Sequence, residues 1–211
     1  MIRTLLISAT VVAMAGTAIV AQETHPLSPV GTASIHVLGN YVKPAGAAGW
    51  GTYQGGKWID LTYGRPLKRG RNLWGSGATY GKSLLAGAPI WRAGADTSTR
   101  LKTEVPLLIN GKTVPPGEYT IFIDIKENNW TFVVSAWAAQ QKYDAGNQTA
   151  LWGAYGYTPD KDVVRAPMKL ETLPHSVEQL TWAFLDVSDA GASLTISWDT
   201  VQASVPIKTG N

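Results

Sequence analysis

Three charged side chains, Arg92, Asp96 and Arg100, fall within nine consecutive residues of a segment that opens on Trp91 and carries Gly94. A guanidinium presents a planar fork of N–H donors that fits a carboxylate or phosphate in bidentate fashion, and a neighbouring carboxylate can hold that fork in place. The segment therefore predicts one of two things: a small anion-binding site, or an internal Arg–Asp pair that pins a loop to the body of the protein. In the first case Arg65 and Arg71 are the cations expected to join it. Arg71 also belongs to the basic run Lys68-Arg69-Gly70-Arg71. Three charges neutralise too few phosphates to mark a nucleic-acid site, so a solvated loop, or weak attraction to anionic lipid or glycan, is the expectation there.

The aromatic set is skewed, with nine Trp and eight Tyr against three Phe. Such rings stack on sugar faces and also fill sandwich cores. Trp130, Trp182 and Trp198 lie on alternating, strand-like sequence and are expected in the core. Trp137, Trp152, Tyr155 and Tyr157 lie in Gly-rich, loop-like sequence and are candidates to line a groove for a glycan or small ligand.

Other chemistries find little support. There is no cysteine, which removes disulfides, thiol catalysis and zinc–thiolate or iron–sulfur sites. His25, His36 and His175 are scattered without ligand spacing, and Asp160-x-Asp162 lacks the further oxygens of a calcium loop, so no metal site and no cofactor are expected. No G-x-S-x-G, S-x-x-K or phosphate-cradling glycine loop occurs. Glu104, Glu118 and Asp124 fall on neighbouring strand-like stretches, where two carboxyls could converge as in a glycosidase.

The elements that must hold these side chains follow from pattern. The 211 residues carry 18 Lys+Arg against 15 Asp+Glu, a net charge of +3, too near neutral for a nucleic-acid partner. At 45% hydrophobic and 16% charged, the chain is too apolar to be disordered. Arg3, the uncharged residues 5–20 and Ile19-Val20-Ala21 before Gln22 read as an export signal over residues 1–21. Its apolar run of 16 residues falls short of the ~20 that span a bilayer. The expectation is a periplasmic or secreted protein of residues 22–211 with no membrane span once the leader is removed, an uncleaved anchor being the alternative.

Beyond the leader, period-2 alternation recurs between Gly and Pro punctuation. Leu107-Leu108-Ile109, Asn110-Gly111 and Lys112-Thr113-Val114 read as a hairpin with a type I′ turn, in which both central residues take positive φ. Tyr119, Ile121, Ile123 and Ile125 share one side of a strand, with Thr120, Phe122 and Asp124 on the other. Trp130, Phe132 and Val134 belong to its antiparallel partner. Further strands are expected at residues 34–37, 58–63, 99–105, 180–184, 194–198 and 201–207, and at 163–170, where Pro167 indicates an edge or bulge. Residues 45–56 and 136–158 read as long loops. Nine or ten strands without crossover helices predict an all-β, two-layer antiparallel sandwich forming one domain.

Several segments occur in an order that carries a resemblance. They are Tyr63-Gly64-Arg65-Pro66 with Gly70-Arg71 and Trp74-Gly75; Trp91-Arg92-Ala93-Gly94-Ala95-Asp96; Gly111-Lys112-Thr113-Val114-Pro115-Pro116-Gly117-Glu118-Tyr119; Trp152-Gly153-Ala154-Tyr155; and Ala203-Ser204-Val205-Pro206-Ile207. Together they resemble a family of exported bacterial proteins defined as a domain of unknown function, over about residues 28–207. The resemblance implies a secreted or periplasmic β-rich domain and brings no activity, substrate or cofactor with it. Members often carry Pro-Tyr-Gly-Lys-Val before the Trp-Arg motif, where this chain has Leu85-Ala86-Gly87-Ala88-Pro89-Ile90. Asn is common in the family where Asp96 stands, and the loop over residues 138–150 is longer here.

These readings make a non-catalytic module binding a small anionic ligand or glycan the first expectation. A structural or assembly protein of the cell envelope is the second. A hydrolase using carboxyls from Asp96, Glu104 or Asp124 is the third.

Overall fold

Strands with one apolar side bury it by stacking, and the chain does so in two antiparallel sheets. The computed structural model describes residues 26–46 and 48–210. The leader expected over residues 1–21 lies outside them, as does His25. With strands numbered in chain order, the larger sheet runs β1 (Val30–Val37), β4 (Lys57–Gly64), β5 (Thr99–Thr103), β8 (Gly117–Lys126), β9 (Asn129–Ser135) and β12 (Asp162–Pro167). The smaller sheet runs β13 (Lys169–Ser188), β14 (Gly191–Thr209), β6 (Leu107–Ile109) and β7 (Lys112–Val114). Two short pairs complete the set: β2 (Asn40–Val42) antiparallel to β3 (Thr52–Gln54), and β10 (Ala138–Ala139) parallel to β11 (Ala150–Leu151). The architecture is the expected antiparallel β-sandwich, with short two- and three-residue strands beyond those the alternation marks.

Alternation decides which residues enter the core. Ile121 and Ile123 of β8, with Trp130, Phe132 and Val134 of β9, face the second sheet. Ile59 and Leu61 of β4 join them, while Asp60 and Thr62 face outward. Trp130, Trp182 and Trp198 are buried, as their strands require. Trp130 and Trp198 meet Trp74 and Trp91 in a four-tryptophan cluster, with Trp74 and Trp130 centroids 5.0 Å apart. At the β6–β7 turn Asn110 and Gly111 take φ of 48° and 74°, as a type I′ turn demands.

Four stretches differ from expectation. The strand over residues 163–170 is divided between the sheets. Pro167 closes β12 at the sheet edge, where no further strand needs its missing N–H, and beyond Met168 the chain enters β13. The two strands expected at 194–198 and 201–207 are one element, β14, bent at Asp199 with φ 52°. Within residues 45–56 lies β3, because Tyr53 packs between His36 and Tyr41 and its hydroxyl accepts the Gly39 N–H at 2.8 Å. Residues 136–158 fold back over the outer face of the large sheet. There Leu151, Ala154 and Tyr157 cover Phe122 and Val133 in a second, smaller core, so β8 is buried on both sides.

The bend in β14 is fastened by Lys68, whose Nζ lies 2.5 Å from Asp199 Oδ1, with Ser176 Oγ donating to the same oxygen at 2.9 Å. Burial works to raise the Asp199 carboxyl. The hydrogen bonds from Lys68 and Ser176 and the Lys68 charge outweigh it and hold the group below the ordinary carboxylate range. A carboxyl depressed in the folded state contributes stability above its unfolded pKa of about 3.9, and that contribution is lost as pH falls through the lower folded value. Asp199→Asn, whose side chain tolerates the same backbone conformation, should therefore lower the urea midpoint at pH 7, and the gap to wild type should close at acid pH. Trp130→Ala should cost about 3–5 kcal/mol, the usual range for emptying a buried aromatic site, read from the same titration.

Candidate functional site

The segment from Trp91 to Asp96 precedes β5 and runs beside β8 beyond the point where β5 begins. Trp91 exchanges both main-chain hydrogen bonds with Ile123 of β8, at 3.2 and 2.9 Å, and its ring enters the tryptophan cluster. Arg92 is then turned to the opposite side. Ala93 takes φ 53°, and its carbonyl accepts from Trp182 Nε1 at 2.9 Å and Thr99 Oγ1 at 3.2 Å. The segment lies so close to the end of β4 that a Cβ on Gly64 would stand 2.1 Å from the Ala95 carbonyl oxygen. On the other side, Ser98 Oγ donates to the Gly153 carbonyl at 2.6 Å. The Arg92 guanidinium rests on Gly153, whose added Cβ would lie 2.7 Å from Arg92 Nη1. Glycines of two further motifs are thus what let the Trp-Arg segment seat.

Arg92 and Asp96 do meet, but through the main chain. Arg92 Nη1 donates to the Asp96 carbonyl at 2.8 Å, and the guanidinium carbon sits 5.3 Å from the centroid of the Tyr155 ring. Asp96 is exposed and takes φ 60°, a conformation in which Asn and Asp are the common non-glycine residues. Asn would meet the same backbone requirement.

A cavity of about 200 Å³ opens between Arg92, Asp96 and Arg71, with Trp91 and Trp198 as its floor and Pro66, Leu84 and Ala86 among its walls. The floor rings are stacked, 6.3 Å apart and 11° from parallel, and both are buried. Arg71 is held at the mouth by its Nε on the Lys68 carbonyl at 2.9 Å and its Nη2 on the Leu67 carbonyl at 2.6 Å, with its guanidinium 5.7 Å from the Trp198 ring. The sequence singled out Arg71, Arg92 and Asp96. It gave no sign of the Trp91–Trp198 floor as part of a site, because Trp198 read as core and Trp91 only as the residue that opens the charged segment.

The remaining candidates lie elsewhere. Arg100 stands on the outer face of the large sheet, paired with Glu118 at 3.4 Å, in a shallow polar region that includes Asp60 and Lys102. Arg65 crosses Gly31 and bonds to β13, through Nε to the Leu180 carbonyl and Nη2 to Thr181 Oγ1, both at 3.3 Å. It ties the sheets together and does not reach the cavity. Trp152 and Tyr155 line a second groove of about 280 Å³ with Trp137, Tyr143, Asn147 and Gln148. The Tyr155 hydroxyl donates to the Ala86 carbonyl at 2.8 Å, so the two depressions share a wall. Tyr157, expected in that groove, is buried against Phe122 instead. Burial, then its bond to Asp162, pushes its phenol well above the ordinary tyrosine range.

The acids do not gather. Asp124 pairs with Arg165 at 2.8 Å, Glu104 Oε2 accepts the Trp58 N–H at 2.9 Å, and Asp96 stands on the cavity rim. Asp96, Glu104 and Asp124, the acids expected for a hydrolase, thus do not share one pocket. Asp162 is taken by Arg165 at 2.9 Å and Tyr157 at 2.7 Å, while Asp160 accepts the Thr158 hydroxyl. No group of three His, Asp or Glu poised for a metal ion occurs among the described residues. The basic run is divided too, with Lys68 on Asp199, Arg71 at the cavity and Arg69 in solvent.

A family model described as a protein of unknown function, DUF2911, matches residues 48–207. No curated protein and no solved structure matches the chain. The matched stretch takes in both sheets' central strands and the whole Arg71–Arg92 cavity, and the chain belongs to this DUF2911 family.

Proposed function

We propose that the protein is a non-catalytic binding module, exported to the periplasm or beyond, which takes a small anionic ligand between Arg71 and Arg92. One observation carries this reading. Two guanidinium groups flank one cavity, and each is positioned by main-chain carbonyl oxygens, which orient a cation without cancelling its charge. Planar forks so held suit a carboxylate or phosphate, and the volume of about 200 Å³ lies below the ~300 Å³ at which drug-sized pockets begin, favouring a small ligand. Export is supported by Arg3, the apolar residues 5–20 and the small residues before Gln22.

A second reading, a glycan site, draws on the neighbouring groove. Tyr143 and Tyr155 are exposed there, Trp152 packs edge-on to Tyr143 at 5.7 Å, and the amides of Asn147 and Gln148 lie beside them. Rings for stacking beside amides for hydroxyls are the components a sugar needs.

Calorimetric titration with inorganic phosphate, malonate and succinate tests the first reading. At least one should bind, and Arg92→Met and Arg71→Met should each weaken it about tenfold or more without lowering thermal stability by more than a few degrees. Arg92→Lys should also weaken it, because a point charge replaces a planar fork. Absence of binding by all three anions, or undiminished binding by Arg92→Met, would overturn the proposal. Weakening of soluble oligosaccharide binding by Trp152→Ala would instead favour the second reading.

A further inference from the structure

The turn that seats Arg92 also carries two of the groove's rings. Residues 152–157 curl tightly, with the Tyr155 N–H on the Trp152 carbonyl at 3.2 Å and the Tyr157 N–H on the Ala154 carbonyl at 3.3 Å. Gly153 and Gly156 take φ of 63° and 78° to allow it. Trp152 and Tyr155 line the groove, while Gly153 between them lies under the Arg92 guanidinium. Tyr155 joins the two depressions. Its hydroxyl donates to Ala86, a wall of the cavity, its ring lies 5.3 Å from the Arg92 guanidinium carbon, and 45% of the residue remains exposed. An anion held by Arg92 therefore stands one aromatic ring away from a second, ring-lined surface.

Charge gives the two depressions different tasks. Two guanidinium groups line the cavity against one carboxylate, that of Asp96. Just outside it, Lys68 and Asp199 are spent on each other at 2.5 Å, and Glu178, which accepts the Arg69 main-chain N–H at 2.7 Å, is matched by the charge of Arg69 itself. The groove attracts no anion, because Asp144 is the one charged side chain among its lining residues, with Lys161 lying 3.6 Å from the Trp137 ring centroid behind it. What the groove offers is donors beside rings. Asn147 Oδ1 accepts the Thr149 N–H and hydroxyl and the Ala150 N–H, which leaves its Nδ2 without a partner among the described residues. A dicarboxylate reaching into the groove would set its second charge against Asp144. A flat aromatic acid would cover the Asn147 and Gln148 amides without pairing them. A sugar ring supplies hydroxyls for the amides and C–H faces for the rings.

Resting on the reading that Arg71 and Arg92 take an anion, we infer that the ligand is an acidic sugar, a pyranose bearing one carboxylate or phosphate. The anion lies between the two arginines and the sugar ring lies in the groove beside Tyr155 and Trp152. Trp152 then sets specificity without touching the anion.

Calorimetric titration of the full chain with glucuronate, galacturonate, glucose 6-phosphate, glucose and phenylacetate, beside phosphate, malonate and succinate, tests this. At least one acidic sugar should bind about tenfold or more tightly than glucose, phenylacetate and the best of the three simple anions. The uronates against the sugar phosphate tell which anionic group the arginines prefer. Arg92→Met should weaken acidic sugar and simple anion alike. Trp152→Ala should weaken the acidic sugar about fivefold or more and leave the simple anion unchanged. Tyr143→Ala, at a residue 61% exposed, should act in the same direction and serves if Trp152→Ala unfolds. Acidic sugars that bind no better than the simple anions or phenylacetate, or undiminished binding in both ring variants, would overturn the inference and leave the anion reading standing. Absence of binding by every anion would overturn that reading and this one with it.

Discussion

Trp91 sits where the fold and the candidate site meet. Its main chain pairs with Ile123 in the space β5 leaves open beside β8, and its ring stacks on Trp198 inside the tryptophan cluster. Successive residues of an extended chain point to opposite sides, so a Trp fixed inward sends the following Arg92 outward. Loss of that anchor would remove both the cavity floor and the orientation of one of its two cations.

Close approach of backbones is the second constraint. Gly64 lies against the Ala95 carbonyl and Gly153 lies under the Arg92 guanidinium, each at distances a Cβ would violate. Residues that read as chemistry and residues that read as turns are therefore parts of one device. The Tyr-Gly-Arg-Pro glycine opens room for the Trp-Arg segment, and the Trp-Gly-Ala-Tyr glycine gives its arginine a seat. Asp96 belongs to the same logic, since its positive φ fixes the residue type independently of any carboxylate chemistry.

Much of this was legible in the sequence where a periodic signal met a single environment. The alternation of β8 and β9, the Asn110-Gly111 turn and the burial of Trp130, Trp182 and Trp198 each follow from local pattern. Legibility failed where one residue serves two layers or one segment changes sheets. Phe122 alternates as an outward residue yet is buried, because residues 136–158 return to cover it, and nothing local signals a return from so far along the chain. The strand over 163–170 changes sheets after Pro167 without a break in its apolar pattern. Arg100 is four residues from Asp96, but it already belongs to β5, and strand alternation puts it on the polar outer face with Glu118. Nearness along the chain translated into nearness in space only for the part of the segment that curls.

The arginines show how the same side chain is put to different uses by its acceptors. Arg165 lies between Asp124 and Asp162, two carboxylates that cancel its charge and make it a brace between β8 and β12. Arg65 is spent on a carbonyl and a hydroxyl of β13 and joins the sheets. Arg71 and Arg92 are likewise oriented by carbonyls, yet they stand at the mouth of a cavity with donors to spare, five N–H groups each against two bonds and one. A carbonyl dipole fixes the direction of a guanidinium and leaves its net charge in place, so an arriving anion meets donors whose orientation is already set and loses less free energy to ordering them. The aromatic faces beside both groups, Trp198 for Arg71 and Tyr155 for Arg92, further restrict how each can turn. Position and acceptor type together, rather than the count of positive charges, separate these two arginines from the rest.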